Sequence, residues 1–171
     1  HLNSEEIKSD IKRINPPQHD VPEHCTVIGD KTNLFIDPTA KVVASTINVS
    51  DGPVYIGPNT EVMEGSLIKG PFALCESAIL KMGAKIYGGT TIGPWSKVGG
   101  EVGNSVILGH SNKAHDGYMG NSILGEWCNL GADTNTSNLK NNYSKVRIWN
   151  YREEGFLDTD LNYCGLIMGD H

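Results

Sequence analysis

An apolar residue recurs at every sixth position from Ile56 to Val98, and this period constrains the fold more than any other feature of the chain. The positions are Ile56, Val62, Ile68, Leu74, Leu80, Ile86, Ile92 and Val98. A helix repeats at 3.6 residues and a half-buried strand at 2, so neither alone produces a strict six. A hexapeptide period is typical of a parallel β-helix, in which short strands and corners wrap a narrow core. The sequence therefore predicts an all-β solenoid.

The same period predicts which residues lie above one another. Three hexapeptides make one 18-residue coil, so Ile56, Leu74 and Ile92 should form one stack, and a second stack should contain Val62, Leu80 and Val98. Successive coils should be about 4.8 Å apart, the spacing of hydrogen-bonded strands. A single coil cannot bury its own apolar face, so the fold needs stacked neighbours.

The N-terminal residues lack this period, and we divide the chain into 1–24 and 25–171. Ser4 to Ile14 is predicted to be a short helix: Ser4 can cap it, and Ile7, Ile11 and Ile14 share one face. Residues 15–24 contain three prolines and are predicted to be a linker. Because the chain opens on His1, we expect this linker to join the solenoid to an upstream domain.

The β-helix domain is predicted to occupy 25–171, with a break in register at 45–53. Residues 145–151 and 156–163 alternate like strands around a turn at 152–155, which predicts a hairpin. Residues 164–171 resemble the start of a further coil. We therefore expect the solenoid to be truncated at its C-terminal end.

Charge and composition exclude several classes of partner. The net charge is -6 and the pI about 5.4, so no broad basic surface is available for nucleic acid or an anionic membrane. No apolar run approaches the roughly 18 residues of a membrane span, and no secretory signal is recognisable. The four cysteines are far apart and form no CxxC pair, which favours reduced, buried thiols in a cytoplasmic protein.

The six-residue step lapses between Gly99 and Met119, and the most polar chemistry lies there. Asn104 and His110 stand where apolar residues are due, and the step resumes out of phase at Tyr118, Leu124 and Leu130. We expect this stretch to depart from the solenoid, because function in repeat proteins is often placed in such departures. An imidazole is a natural general base near neutral pH, which makes His115 the candidate.

The segments Ser111-Asn-Lys-Ala-His-Asp-Gly-Tyr-Met-Gly120 and Leu124-Gly-Glu-Trp-Cys-Asn-Leu-Gly-Ala132 show a family resemblance. They resemble the acetyltransferase half of the bifunctional UDP-N-acetylglucosamine pyrophosphorylase/glucosamine-1-phosphate N-acetyltransferase family, with its K-A-G-H-x-x-Y-x-G-D and N-I-G-A-G-T blocks. Asn138-Leu139-Lys140 and the hairpin are more similar to the bacteroidete sugar nucleotidyltransferase branch (glucose-1-phosphate thymidylyltransferase-like). The resemblance covers about Cys25 to the end.

This resemblance implies a left-handed β-helix, a homotrimer with active sites between subunits, and a lost N-terminal nucleotidyltransferase domain. It implies acetyl transfer from acetyl-CoA to an amino-sugar-1-phosphate, with His115 as the base. Its implied substrate-binding residues are Lys85, Tyr118 and Asn129, and its implied acetyl-CoA-binding residues are Ala132 and Asn138.

The chain also departs from the family pattern. Only Lys85 matches the two basic positions that hold the sugar phosphate, since Gly103 stands at the other, and Asp133 replaces a usual glycine. The coils that complete the acetyl-CoA cleft would follow His171, so we expect this chain to be a poor acetyltransferase by itself.

Two alternatives remain open at this stage. His110 and His115 have the spacing that trimeric hexapeptide-repeat carbonic anhydrases use for zinc between subunits, although Leu74 stands at the place of the third histidine. Without that zinc site, no metal is expected. The other alternative is a non-catalytic solenoid that trimerises a nucleotidyltransferase domain.

Overall fold

The computed structural model describes residues 2–171 and has the predicted architecture. It is a left-handed parallel β-helix of about six turns with one N-terminal helix and a C-terminal antiparallel hairpin. Helix α1 is Leu2–Ile14, and a 3-10 turn covers Lys31–Asn33. The strands are β1 (Thr26–Ile28), β2 (Leu34–Ile36), β3 (Lys41–Val42), β4 (Thr46–Asn48), β5 (Val54–Ile56), β6 (Glu61–Val62), β7 (Leu67–Lys69), β8 (Phe72–Leu74), β9 (Ile79–Leu80), β10 (Lys85–Ile86), β11 (Thr90–Ile92), β12 (Lys97–Val98), β13 (Glu101–Gly103), β14 (Val106–Ile107), β15 (Asn112–Lys113), β16 (Tyr118–Gly120), β17 (Ile123–Leu124), β18 (Arg147–Asn150), β19 (Gly155–Asp158) and β20 (Ile167–Met168).

The solenoid has three parallel sheets, which the chain visits in turn. Sheet A contains β1, β4, β7, β10, β13 and β16; sheet B contains β2, β5, β8, β11, β14, β17 and β20; sheet C contains β3, β6, β9, β12 and β15. The predicted stacks are confirmed, because Ile56 and Ile92 both pair with Leu74, and Val62 and Val98 both pair with Leu80.

The core consists of inward side chains from the three solenoid sheets: each strand of sheets A and C contributes one, and β2, β5, β8 and β11 of sheet B contribute two. All eight residues of the hexapeptide column are buried, none more than 2 % exposed. The second column, four positions on, is buried as well: Thr60, Ser66, Phe72, Ala78, Ala84, Thr90, Ser96 and Val102. Small side chains suit this column because the corners of a narrow coil leave little room between the sheets.

The prediction that residues 99–119 leave the solenoid is wrong. The stretch forms β13, β14, β15 and the start of β16, and its inward residues are Val102, Ile107, Lys113 and Met119. The coil is shortened at a corner instead of interrupted: Lys85 pairs with Glu101, sixteen positions on, whereas Leu67 pairs with Lys85, eighteen positions on.

Glycine explains this shortening. The turn from sheet C to sheet A has only two residues, Gly99 and Gly100, and a Cβ on either would lie within 3.0 Å of a carbonyl oxygen of the next coil. Asn104 and His110 lie at corners with positive φ and not on strands. By contrast, the predicted break at 45–53 is confirmed as a turn between β4 and β5.

Helix α1 lies on sheet B, where it contacts β8 and β11. Ile7 and Ile11 are buried as expected, but Ile14 is 62 % exposed, and the helix begins at Leu2, so Ser4 is not its cap. The Asn3 side-chain amide donates to Gly89 O at 2.7 Å. This bond holds the first turn of the helix on the solenoid and explains why the helix begins before Ser4.

The C-terminal excursion leaves the solenoid after the sixth coil and returns to it. Strands β18 and β19 form the predicted hairpin, with Trp149 opposite Phe156. Strand β20 then pairs with β17, which confirms a further coil at Ile167–Met168. Across residues 2–171, no helix is long and apolar enough to cross a membrane. All four cysteines are free thiols, and of these only Cys128 is buried.

The inward column predicts a sharp contrast in stability. Leu80→Ala should lower the free energy of unfolding by about 2–5 kcal/mol, because it empties a fully buried position between Val62 and Val98. Met82→Ala is the control: it is 66 % exposed on the adjoining corner and should change stability by less than about 0.5 kcal/mol. Urea unfolding measures both, and equal effects would contradict the assigned register.

Candidate active site

His115 lies at the corner where the chain passes from sheet C to sheet A, which we call the C–A corner. In this coil the corner comprises residues 114–117, and the His115 side chain is exposed. The next coil repeats the corner at 131–134, directly above, because the Asp133 N–H donates to Asp116 O at 3.0 Å. His115 and Ala132 therefore occupy equivalent positions on adjacent coils.

The upper corner is a tight turn in which two amides, those of Gly131 and Ala132, have no partner within residues 2–171. The Thr134 N–H donates to Gly131 O at 3.3 Å, and Asp133 has φ +60, so Gly131–Thr134 has the form of a type II turn. This φ at Asp133 is one that glycine adopts without steric cost. Within residues 2–171 the Ala132 N–H has no hydrogen-bond partner, so it is available to an external acceptor.

Tyr118 begins the strand that leaves the His115 corner and lies between two grooves on the outer face of sheet A. A Cβ at Gly120 would collide with the Tyr118 hydroxyl, so the ring lies over this glycine. One groove, of about 200 Å³, extends from Tyr118 to Asn138 and Tyr163. The other, of about 270 Å³, extends from Tyr118 to Tyr87 and includes Glu101.

The Tyr118 hydroxyl has a perturbed acidity. Partial burial, followed by the neighbouring Glu101, Tyr163 and Tyr87, raises its pKa above the ordinary value of 10.0. The phenol is therefore neutral at physiological pH and can donate a hydrogen bond to a ligand in the groove.

Asn138 lies across the first groove from Tyr118, but its amide already has partners. Its Oδ1 accepts from the Cys164 N–H at 3.0 Å, and its Nδ2 donates to Cys164 Sγ at 3.5 Å. These two bonds close the base of the excursion that contains the hairpin. The side chain is thus a wall of the groove, held by the returning strand.

Asn129 and Lys85 lie farther from the His115 corner. Asn129 is exposed on the outer face of sheet C, in a bridge with Asn112. Lys85 shares the outer face of sheet A with Tyr118 but is two strands below it, with Glu101 between them. Lys85 lines a separate groove of about 280 Å³ with Leu67. Within one chain, the structure does not bring Lys85 beside His115.

The two histidines of the zinc hypothesis lie at different corners of the solenoid. His110 is at the corner between sheets B and C, stacked between Trp95 and Trp127 with ring centroids 6.5 Å and 4.4 Å away. Among residues 2–171, no group of three or more His, Cys, Asp or Glu side chains is placed to hold a metal ion. His110 thus takes part in an aromatic ladder on the surface.

Sequence analysis missed Lys113, which is 2 % exposed and occupies an inward position of sheet C, in register with Val98. A signal was present, since Ile107, Lys113 and Met119 are six residues apart. These residues do not continue the six-residue step that ends at Val98, because the shortened corner moves every later inward position.

The chain is 38 % identical over 73 residues to the bifunctional protein GlmU of Methanocaldococcus jannaschii, covering 42 % of this chain and 17 % of the relative. It is 30 % identical over 117 residues to GlmU of Synechococcus elongatus, covering 63 % and 26 %. It is 28 % identical over 171 residues to the uncharacterized acetyltransferase YaiX of Escherichia coli K12, covering 99 % and 65 %.

These similarities support a relation to the hexapeptide acetyltransferase family. The chain spans less than two thirds of the length of each of these relatives. No protein-family profile matches it. A solved structure of a GDP-perosamine N-acetyl transferase variant from Caulobacter crescentus, in complex with CoA and GDP-perosamine, overlaps 78 % of this chain and 62 % of its own, at 10 % identity and a TM-score of 0.40. A score this low supports no inference.

The surroundings of Tyr118 predict that its phenol loses its proton at a higher pH than a free tyrosine does. The fold binds the phenol proton more tightly than the unfolded chain does, so folding stability should decrease as the pH rises from about 10. Tyrosinate formation can be followed by near-ultraviolet absorbance. Subtracting the titration of Tyr118→Phe from that of the wild type isolates Tyr118, whose midpoint should lie above pH 10. In denaturant the midpoint should return to about 10; equal midpoints in the two states would show that the groove does not desolvate the phenol.

Proposed function

We propose that the chain is the acyltransferase domain of a sugar-nucleotide biosynthesis enzyme. It would transfer acetyl from acetyl-CoA to the amine of an amino-sugar-1-phosphate, with His115 as the general base. The proposal is supported by the motif resemblance around His115 and by similarity to proteins named GlmU and acetyltransferase. The structural observation that favours it most is the stacking of His115 beneath the free amide of Ala132.

In this reaction the sugar nitrogen attacks the thioester carbonyl carbon while an imidazole nitrogen of His115 takes the amine proton. The tetrahedral intermediate then expels the CoA thiolate, which receives that proton from the imidazolium. An exposed imidazole at a corner suits this exchange, because both substrates can approach from solvent.

The Ala132 N–H would stabilise the negative oxygen of that intermediate. Adjacent coils are about 4.8 Å apart, so a carbonyl group bound at this corner can approach both the base and the amide. A backbone donor held in a turn is already oriented before the reaction begins, which is the property of an effective oxyanion site.

Tyr118 and Asn129 would bind the amino sugar on the two sides of the corner, on sheets A and C. Lys85 is our candidate for the phosphate. Glu101, which lies between Lys85 and Tyr118, would repel a phosphate at that position. A sugar phosphate that contacts both residues must therefore avoid the carboxylate, or Lys85 must act on the site of a neighbouring subunit.

A homotrimer with sites between subunits is part of the proposal. Its support in this chain is the outer face of sheet A, where Ile28, Leu67 and Tyr87 are 46 %, 51 % and 51 % exposed along one groove. Apolar residues that share a surface in this way are typical of an interface between proteins.

Asn138 would contact acetyl-CoA from the first Tyr118 groove. Membership of the bacteroidete branch and an N-terminal nucleotidyltransferase domain also remain proposals.

In the proposed full-length parent, His115→Ala should reduce acetyl transfer by about 10²–10⁴-fold, because the amine proton loses its acceptor. The melting temperature should be nearly unchanged, since the side chain is exposed. His19→Ala, which removes an exposed imidazole from the N-terminal segment, is the matched control and should keep the wild-type rate. CoA release measured over a panel of amino-sugar phosphates tests both.

A normal rate for His115→Ala would exclude the proposed base. Absence of turnover in the wild type with every amino sugar would favour the non-catalytic alternative, in which the solenoid only trimerises a nucleotidyltransferase domain. The exposed apolar face of sheet A fits that alternative equally well, so the transfer assay is the measurement that separates the two functions.

Ala132→Pro should lower kcat/KM for acetyl-CoA by about 10²–10³-fold, the effect of losing one oxyanion donor. Proline is favoured at the second position of a type II turn, so this change removes the N–H and retains the turn. Met82→Pro is the matched control, since it occupies the same position of a C–A corner with Gly83 at φ +70. Equal kinetics for Ala132→Pro and Met82→Pro would rule out the donor.

A further inference from the structure

Serine hydroxyls donate to carbonyl groups at several corners of this solenoid. At the C–A corner of the lower coils, Ser45 Oγ donates to Val43 O at 2.8 Å and Ser66 Oγ donates to Met63 O at 2.8 Å. The other two corners use Ser96, Ser105, Ser111 and Ser122 in the same way. Uncharged hydroxyl donors to the corner carbonyls therefore recur along the fold.

This pattern is interrupted at the C–A corner of three successive coils and resumes at Thr134, whose hydroxyl donates to Gly131 O at 2.8 Å. The position of Ser45 and Ser66 is occupied in later coils by Ala84, Gly100 and Gly117, as the backbone hydrogen bonds between coils show. A Cβ at Gly100 would lie 2.9 Å from His115 O, and a Cβ at Gly117 would collide with Thr134 O. A serine cannot be accommodated there, because the corners of adjacent coils approach too closely.

Lys113 satisfies this corner from inside the solenoid. Its side chain is 2 % exposed, and its ammonium group donates to Gly99 O at 3.1 Å and to His115 O at 2.5 Å. No other hydrogen-bond donor to either carbonyl occurs among residues 2–171. One buried ammonium thus joins the corner that contains His115 to the corner one coil below.

Burial of this ammonium is costly. Desolvation lowers the pKa of Lys113, and the nearby Asp116 and Asp133 oppose that effect without bonding to it. An apolar side chain at a buried charged position is often neutral or stabilising for the fold. A methionine of similar shape would also continue the apolar column between Val98 and Leu130. Core stability alone therefore does not account for a lysine at this position.

We propose that Lys113 is a positioning residue, which acts through its hydrogen bond to the His115 carbonyl to hold the imidazole at the height of the Ala132 amide. The proposal rests on the proposed function, because it assigns Lys113 to the reaction only through His115. It also makes a structural claim, that the ammonium fixes the C–A corner, and this claim can be measured without any substrate.

The test compares Lys113→Met, Lys113→Arg and Leu80→Ala. Lys113→Met should fold and lower kcat by about 10–100-fold, with KM for acetyl-CoA within about twofold, since misplacement of a catalytic group by about 1 Å has an effect of this size. Lys113→Arg retains a charged donor and should recover part of kcat. Leu80→Ala destabilises the same inward column two coils below and should leave kcat unchanged.

Two further measurements separate positioning from a loss of stability. Amide hydrogen exchange should become at least about tenfold faster in Lys113→Met at Glu101 and Asp133, whose N–H groups bond to the His115 corner, and not in Leu80→Ala. The double variant Lys113→Met/His115→Ala should be no slower than His115→Ala, because two residues that act through one group are not additive.

The outcomes are distinguishable. Unchanged exchange at the corner in Lys113→Met, or a double variant slower than His115→Ala, would overturn the positioning role. If Lys113→Met does not fold, Lys113→Arg decides: exchange at the corner and kcat that both change, or that both stay at the wild-type level, support the proposal, and a change in only one of the two overturns it. Full activity of His115→Ala would refute the proposed function, while the exchange data would still decide whether Lys113 fixes the corner.

Discussion

The rest of the structure depends on the burial of one or two side chains from each solenoid strand inside a very narrow core. Each coil is too thin to enclose an apolar interior alone, so every inward residue is covered by those directly above and below it. The stack formed by Ile56, Leu74 and Ile92 is typical of the whole prism. This constraint fixes the vertical register of the strands, and with it the height of every outward and corner residue.

The candidate site follows from that register. His115 and Ala132 are seventeen positions apart in the chain, yet they are neighbours because each lies at the same corner of successive coils. The narrow core also limits how the corners can be built. Where serine hydroxyls have no room, the carbonyl groups must find another donor, and at this corner the donor is the ammonium of Lys113. The hydrogen bonding of the His115 corner thus depends on a residue of the core, Lys113.

The proposed homotrimer would use the outer face of sheet A. Its grooves meet at Tyr87 and Tyr118, so an apolar surface suited to a second copy of the chain runs up to the residues proposed to bind the sugar. A site built from two copies would explain why Lys85 is remote from His115 within one chain. The hairpin, with Trp149 and Phe156 both about half exposed, is attached next to the same region through the bonds between Asn138 and Cys164.

The solenoid, its stacking between residues 56 and 98, and the hairpin were predictable from the amino-acid sequence, as was the region of the candidate site. They were predictable because an inward column with a strict period is a local property of the chain. Prediction failed between residues 99 and 119, where the polar stretch is a regular but shortened coil. Three features depend on how the coils pack. Gly99 and Gly100 shorten their corner, so Lys113 lies inside the solenoid and Asn104 outside it. Ala132 lies directly above His115. The physical reason is that a change of phase depends on how closely two corners approach, and that distance is set between coils and not along the chain.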